Sequence, residues 1–254
     1  MRVLEFLLKR KILIGYLNRY SMMIRFIGSS YLLLLLALSA CQSGGVQIAN
    51  SQCLVQVIAK DSSLLDEALI YQLAGIADAE TAPVYRWKNY YVFYGTKEGT
   101  ERIYQACLQK YPQYEVQKLD HPFYAFDRSH CTRDDVSSEE TDHILLSANL
   151  VKNEELQQEY LIYHKDQFEQ WPEVSQGFCK AQFQQVLVYK NGRQLLLVIN
   201  IPKGANFKEL DAKTIENNPK VVVWNKLMAT YQEGLPGTDE GETWVFFEMM
   251  NDEL

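Results

Sequence analysis

Several absences narrow what this 254-residue chain can do. It holds 4 His and 5 Cys with no Cys-x-x-Cys and no His-x-x-x-His spacing, so a zinc site is not expected. It has no Gly-rich phosphate loop and no Gly-x-Ser-x-Gly elbow, which argues against nucleotide chemistry and against a serine hydrolase. No stretch interleaves Lys or Arg densely with aromatics and the net charge is −7, so nucleic acid is not an expected partner. The N-terminal apolar run, Tyr31 to Leu38, is about eight residues, too short to span a bilayer as a helix. Disorder is excluded by content instead, since 16 Tyr and 11 Phe are ample for a packed core.

That short run reads as the core of a signal peptide covering residues 1–40, behind Arg25. It ends in Leu38-Ser39-Ala40-Cys41, which looks like the lipobox of bacterial lipoproteins and makes Cys41 the lipid attachment site. The signal is complete from Met22 or Met23, so the true start is expected there. Residues 41–51 are then a flexible tether, and Gln42 after the lipidated Cys points to the outer membrane of a bacterial envelope. Cleavage leaves 214 residues with 19 basic against 31 acidic side chains, a charge of −12 and enough chain for one large or two small domains.

The candidate chemistry is concentrated around residues 159–173. On a helix, Tyr160 and His164 stand four apart and share a face with Leu156, turned inward. A neutral His trades protons near pH 7, and a Tyr one turn away can hydrogen-bond a hydroxylated ligand or orient the imidazole. Trp171-Pro172-Glu173 follows, then alternating strands around the turn Lys190-Asn191-Gly192-Arg193, then Trp224 with Met228 four residues on. This order of features resembles the L-rhamnose mutarotase family over roughly residues 143–250.

The resemblance implies a barrel made by two α/β chains and a monosaccharide substrate, with no metal or cofactor. It makes His164 the proton donor to the sugar, Tyr160 a binding residue one turn before it, and Trp224 the first of a substrate-binding Trp pair. Three departures stand against the family pattern: the hairpin Tyr falls on Val186, the second Trp falls on Asn225, and the spacing from His164 to Trp171 is longer than usual. Trp171 and Trp224 would offer flat apolar faces to a sugar. Trp224 with Leu227, Met228 and Tyr231 at helical spacing reads equally as core, and Trp171 beside Pro172 reads equally as a packed helix start.

Lys60 to Gln72 lies on Lys152 to His164 without a gap, with six of thirteen positions identical. Ala68 and Gln72 then stand where Tyr160 and His164 do, so the first copy reads as an inactive partner. Each copy reads strand, helix, strand, strand, helix, strand. The strands are expected near 53–59, 84–87, 90–95 and 115–126, then near 144–150, 184–190, 194–201 and 242–250. Helices are expected near 62–75 and 97–111, then near 153–180 and 205–231, the last broken at Asn218-Pro219. Lys88-Asn89 and Asn191-Gly192 are the expected hairpin turns. The fold class is α+β, two ferredoxin-like βαββαβ units packed as an α/β barrel pseudo-dimer within one chain or closed by a homodimer. The domains are 52–127, a degenerate repeat, then a linker at 128–142, then 143–254, the mutarotase-like domain.

Cys53, Cys107, Cys131 and Cys179 are an even set in a chain expected on the oxidising side of the envelope, but their spacing argues no pairing. His121, His130 and His143 read as solvated or turn residues, and Glu159 and Glu173 as solvated acids or a glycosidase-like pair. The expected function is a membrane-anchored sugar mutarotase, an aldose 1-epimerase type isomerase interconverting the anomers of L-rhamnose or a related aldose. Catalysis would be general acid/base work by His164, with Tyr160, Trp171 and Trp224 binding the sugar. The alternative is a non-catalytic sugar-binding or scaffold lipoprotein of the same fold, which Val186 and Asn225 motivate. Cofactor-less oxygenases share this architecture, and fold alone does not choose between them.

Overall fold

The run Leu195-Leu196-Leu197-Val198-Ile199 has no polar alternation because its strand is covered on both faces. The computed structural model describes residues 52–60, 64–77, 81–132 and 137–250. The expected signal peptide, Cys41 and the expected tether, all of residues 1–51, lie outside the described residues. Among the described residues no helix is long and apolar enough to cross a membrane.

The first half contains β1 (Gln52–Ile58), α1 (Glu67–Ala74), β2 (Val84–Trp87), β3 (Tyr90–Thr96), α2 (Lys97–Lys110) and β4 (Glu115–Leu119). A short strand β5 (Tyr124–Asp127) leads into the second half, which opens with β6 (Thr141–Leu150). Three helices follow, α3 (Glu154–Lys165), α4 (Gln167–Gln170) and α5 (Pro172–Lys180). Then come the hairpin β7 (Gln185–Asn191) and β8 (Gln194–Pro202), helices α6 (Phe207–Ile215) and α7 (Pro219–Ala229), and the short strands β9 (Gln232–Glu233), β10 (Val245–Phe246) and β11 (Glu248–Met249). The molecule is thus mixed α+β with antiparallel sheets.

The first sheet runs β11-β2-β3-β1-β4 and the second β10-β6-β8-β7-β5, with β9 also on β6. Each sheet therefore takes an edge strand from the other half: β5 pairs with β7 and β11 pairs with β2. On β8, Leu195, Ile199 and Ile201 pack beneath the helices while Leu196 and Val198 face the other sheet. On β3, Tyr91 and Phe93 meet α1 and α2 while Val92 and Tyr94 face the second sheet. A period of two thus feeds two layers of core at once.

Four sequence expectations are corrected. The stretch 115–126 is two strands, not one: a break at His121-Pro122, where Pro122 has no N–H for a ladder, sends Tyr124–Asp127 to the second sheet. The expected helix 153–180 is three helices, stopped after Lys165 and restarted by Pro172 at its first position. In the second hairpin the two residues outside the strands are Gly192 and Arg193, because Asn191 still pairs with Gln194 and its Nδ2 donates to Gln56 Oε1 of the other sheet at 2.9 Å. Gly192 supplies the positive φ of 58° that this turn needs.

The fourth concerns the aligned helices. α1 begins at Glu67 behind an Asp66 cap, whereas α3 begins at Glu154 behind Asn153. The identical pair Ile70 and Ile162 consequently ends on opposite faces, one fully buried and the other 55% exposed. The thirteen-residue alignment therefore does not carry over as a correspondence of side chains. Ala68 and Gln72 are exposed on α1, far from the role that alignment gives their counterparts.

A disulfide joins Cys131 to Cys179 across a sequence separation of 48, tying the turn after β5 to the end of α5. Arg128 Nη1 reinforces this join by donating to the carbonyls of Cys179 and Phe183 at 3.2 and 3.4 Å. Cys53 and Cys107 are free and buried.

Candidate active site

Asn153 caps α3 by accepting from the Leu156 amide at 3.0 Å, which fixes the helix start and so its inward face. Tyr160 and His164, one turn apart on that face, are both buried. With Trp224 and Met228 of α7, Val186 and Val188 of β7 and others, they line a cavity of about 330 Å³ between the helices and the second sheet.

His164 sits in an aromatic enclosure, its ring centroid 4.2 Å from Tyr160, 5.2 Å from Tyr124 and 5.3 Å from Trp224. Its Nδ1 lies 3.0 Å from the Tyr160 carbonyl oxygen. A carbonyl can only accept, so Nδ1 carries the proton and the neutral ring keeps a lone pair on Nε2. Burial pushes the imidazole down to about 4, and the bond to Tyr160 opposes this only partly. At neutral pH His164 is therefore a base that must take up a proton before it can give one.

The Tyr160 hydroxyl accepts from Gln232 Nε2 at 3.2 Å, and Gln232 Oε1 accepts from Trp244 Nε1 at 3.1 Å. An indole N–H only donates, so Trp244 fixes which way the Gln232 amide points and leaves the Tyr160 proton for another partner. Burial raises the Tyr160 phenol above its ordinary value, so Tyr160 stays protonated. Tyr124 is held likewise: its hydroxyl donates to Gln167 Oε1 at 2.6 Å, and Gln167 Nε2 donates to the Trp171 carbonyl at 2.8 Å.

Of the four site residues expected from the sequence, the structure brings His164, Tyr160 and Trp224 to one cavity. Trp171 is not on its wall but packs against Trp224, ring centroids 5.5 Å apart and planes tilted by 58°, with Lys220 Nζ 5.6 Å from the centre of its ring. Trp224 is a member of the buried core and also lines the cavity. Tyr124, Gln167, Gln232 and Trp244 escaped the sequence reading, because they come from four separate elements or loops with no local pattern linking them. Glu159 is exposed and accepts from Tyr231 at 3.1 Å, and neither it nor Glu173 lines the cavity. His143 is not a solvated turn residue either: it lies in β6 edge-on to Tyr94 at 4.9 Å, with Nδ1 3.3 Å from the Tyr85 hydroxyl. Among the described residues no group of three or more His, Cys, Asp and Glu side chains is placed to hold a metal.

This enclosure falls in the part of the chain that comparison with known proteins picks out. Residues 146–252 match the model of the L-rhamnose mutarotase family. An L-fucose mutarotase of Xanthomonas campestris pv. campestris is 26% identical over 76 residues, spanning 30% of this chain and 60% of that protein. A UPF0734 protein of Dictyostelium discoideum is 27% identical over 107 residues, 41% of this chain and 83% of that one. A solved structure provisionally described as a monooxygenase, from Lactobacillus acidophilus NCFM, covers 78% of this chain and 93% of its own at a TM-score of 0.39 and 8% identity. Over its second half, then, the chain is similar to sugar mutarotases. Tyr124 lies outside the matched stretch, so β5 adds a residue to the cavity that the mutarotase model does not cover.

Proposed function

We propose that the protein is a sugar mutarotase acting on L-rhamnose or a related aldose. The observation that carries this reading is a buried, neutral His164 with its Nδ1 proton bound to Tyr160 O, inside a cavity in the mutarotase-like stretch. Nε2 takes the proton of the anomeric hydroxyl as C1=O forms and the C1–ring oxygen bond breaks. The imidazolium hands that proton to the ring oxygen, giving the open-chain aldehyde. Rotation about C1–C2 and the same steps reversed close the ring on its other face. One residue can serve both oxygens because they share C1, and this transfer is worth on the order of 10²–10⁴ in rate. Tyr160, kept protonated by burial, binds a sugar hydroxyl and does not ionise. Trp224 offers the ring a flat apolar face.

Exchange NMR of the anomeric protons of L-rhamnose, L-fucose and a panel of aldoses tests this. Faster exchange of one sugar, lost in His164→Ala, is expected. Sugar binding with no faster exchange would instead leave a non-catalytic sugar-binding protein.

The reading extends to the whole molecule. The two halves act as ferredoxin-like units closed into an intramolecular pseudo-dimer barrel, supported by the matching strand orders and the core between the sheets. The motif Leu38-Ser39-Ala40-Cys41 supports a lipid-anchored envelope protein. Palmitate labelling and membrane fractionation, both lost in Cys41→Ser, are the expected result.

A further inference from the structure

The cavity around His164 has a neighbour. A second lobe of about 360 Å³ lies beneath α5, α6 and α7, and Val186, Trp224 and Asn225 are among the residues that line both. Val186 and Asn225 are also the two positions where this sequence has smaller side chains than the mutarotase pattern it resembles. A Tyr at 186 and a Trp at 225 would place rings where the lobes adjoin. Val and Asn put no ring there.

The second lobe has its own chemistry. Four phenylalanines, Phe178, Phe183, Phe207 and Phe246, line it as a chain of neighbouring rings, with successive centroids 5.8, 6.1 and 5.9 Å apart. Its polar groups are few and committed or peripheral. The Thr214 hydroxyl donates to the Asp211 carbonyl at 2.7 Å, and Asn225 and the Asp211 side chain are exposed. Asp211 is the single ionisable residue lining this lobe, and its negative charge disfavours a phosphate or carboxylate there. Phe246 is 53% exposed, apolar surface that a ligand group would cover.

Resting on the mutarotase reading, we infer that the natural substrate is an aldose carrying a neutral apolar substituent, aryl or short acyl, on a hydroxyl other than the anomeric one. The sugar ring occupies the His164 lobe and the substituent occupies the phenylalanine lobe. Each lobe alone is at the lower end of the range for ligand pockets, about 300–1,000 Å³, and only the two together suit a substituted sugar.

The test is isothermal titration of the full protein with L-rhamnose, L-fucose and the 2-, 3- and 4-O-benzyl ethers of each. One ether is expected to bind at least about tenfold more tightly than its parent sugar, as burial of one aromatic ring implies. In Val186→Tyr that ratio is expected to fall towards one, and in Phe246→Ala to fall several-fold. Ethers that bind no better than the parent, or a ratio that Val186→Tyr leaves intact, would overturn the inference while sugar binding and exchange kept the mutarotase reading. If neither parent nor ether binds and no exchange is accelerated, the mutarotase reading fails and takes the inference with it.

Discussion

At the scale of residues, the decisive fact is which nitrogen of His164 holds the proton. The sequence shows a His one turn after a Tyr, and the resemblance makes that His a proton donor. The helix back-bond to Tyr160 and the burial keep the ring neutral, so in the proposed mechanism accepting comes first. Enzymatic exchange, after subtraction of the acid-catalysed background, is therefore expected to be flat from about pH 6 to 8 and to fall with an apparent pKa near 4. Stability follows the same group. Unfolded His164 protonates near pH 6.5 and the folded ring only near 4, so the unfolded state binds more protons between these values and stability is lost as pH falls through them. The loss is on the order of 3 kcal/mol and should be absent from the difference curve of His164→Gln, measured by urea unfolding from pH 4 to 7. Tyr160, His164 and Trp224 were legible because helical spacing and a local motif announce them. Gln232 and Trp244 were not, since their part in the site is a hydrogen-bond chain between side chains 72 and 12 residues apart.

At the scale of elements, strands were easier to read than helix boundaries, except that the expected strand 242–250 is two short strands, β10 on the second sheet and β11 on the first. β2, β3, β7 and β8 fall within a residue or two of their expected places, because apolar runs bounded by turn residues mark both ends. The helices failed where tertiary demands overrode period: α3, α4 and α5 bend around the cavity, and α1 starts more than a turn later than its aligned partner. One close approach sets how α5 meets α6. A Cβ at Gly177 would come 2.7 Å from the Thr214 carbonyl oxygen, backbone that cannot swing aside. Gly177→Ala is expected to be net destabilising by on the order of 1 kcal/mol, overpacking of about 1–3 kcal/mol outweighing the helix-propensity gain of about 1. A lower urea midpoint at unchanged slope is the check. The Cys131–Cys179 pairing, by contrast, had no trace in the spacing, because the two residues meet only once β5 has crossed to the second sheet.

At the scale of the whole molecule, the division at residue 127 read from composition cuts the fold in the wrong place. β5 belongs to the second sheet and delivers Tyr124 to the cavity, although it precedes the polar linker. A fragment of residues 137–250 would leave β7 with an open edge and Gln167 without its Tyr124 partner. It is expected to aggregate or to lose sugar exchange, and a fragment begun before His121 should aggregate less, while still exposing the face of Leu187, Leu196 and Val198 that the first sheet covers. Size-exclusion chromatography of the two fragments distinguishes these outcomes.

The stretch from Val245 to Met249 pairs first with β6 and then with β2, whose partners Arg86 and Tyr85 lie more than 160 residues earlier in the chain. Neither sheet is complete without those few residues. One short segment thus closes an edge of both sheets, so a cut ahead of Val245 is expected to loosen the two layers together.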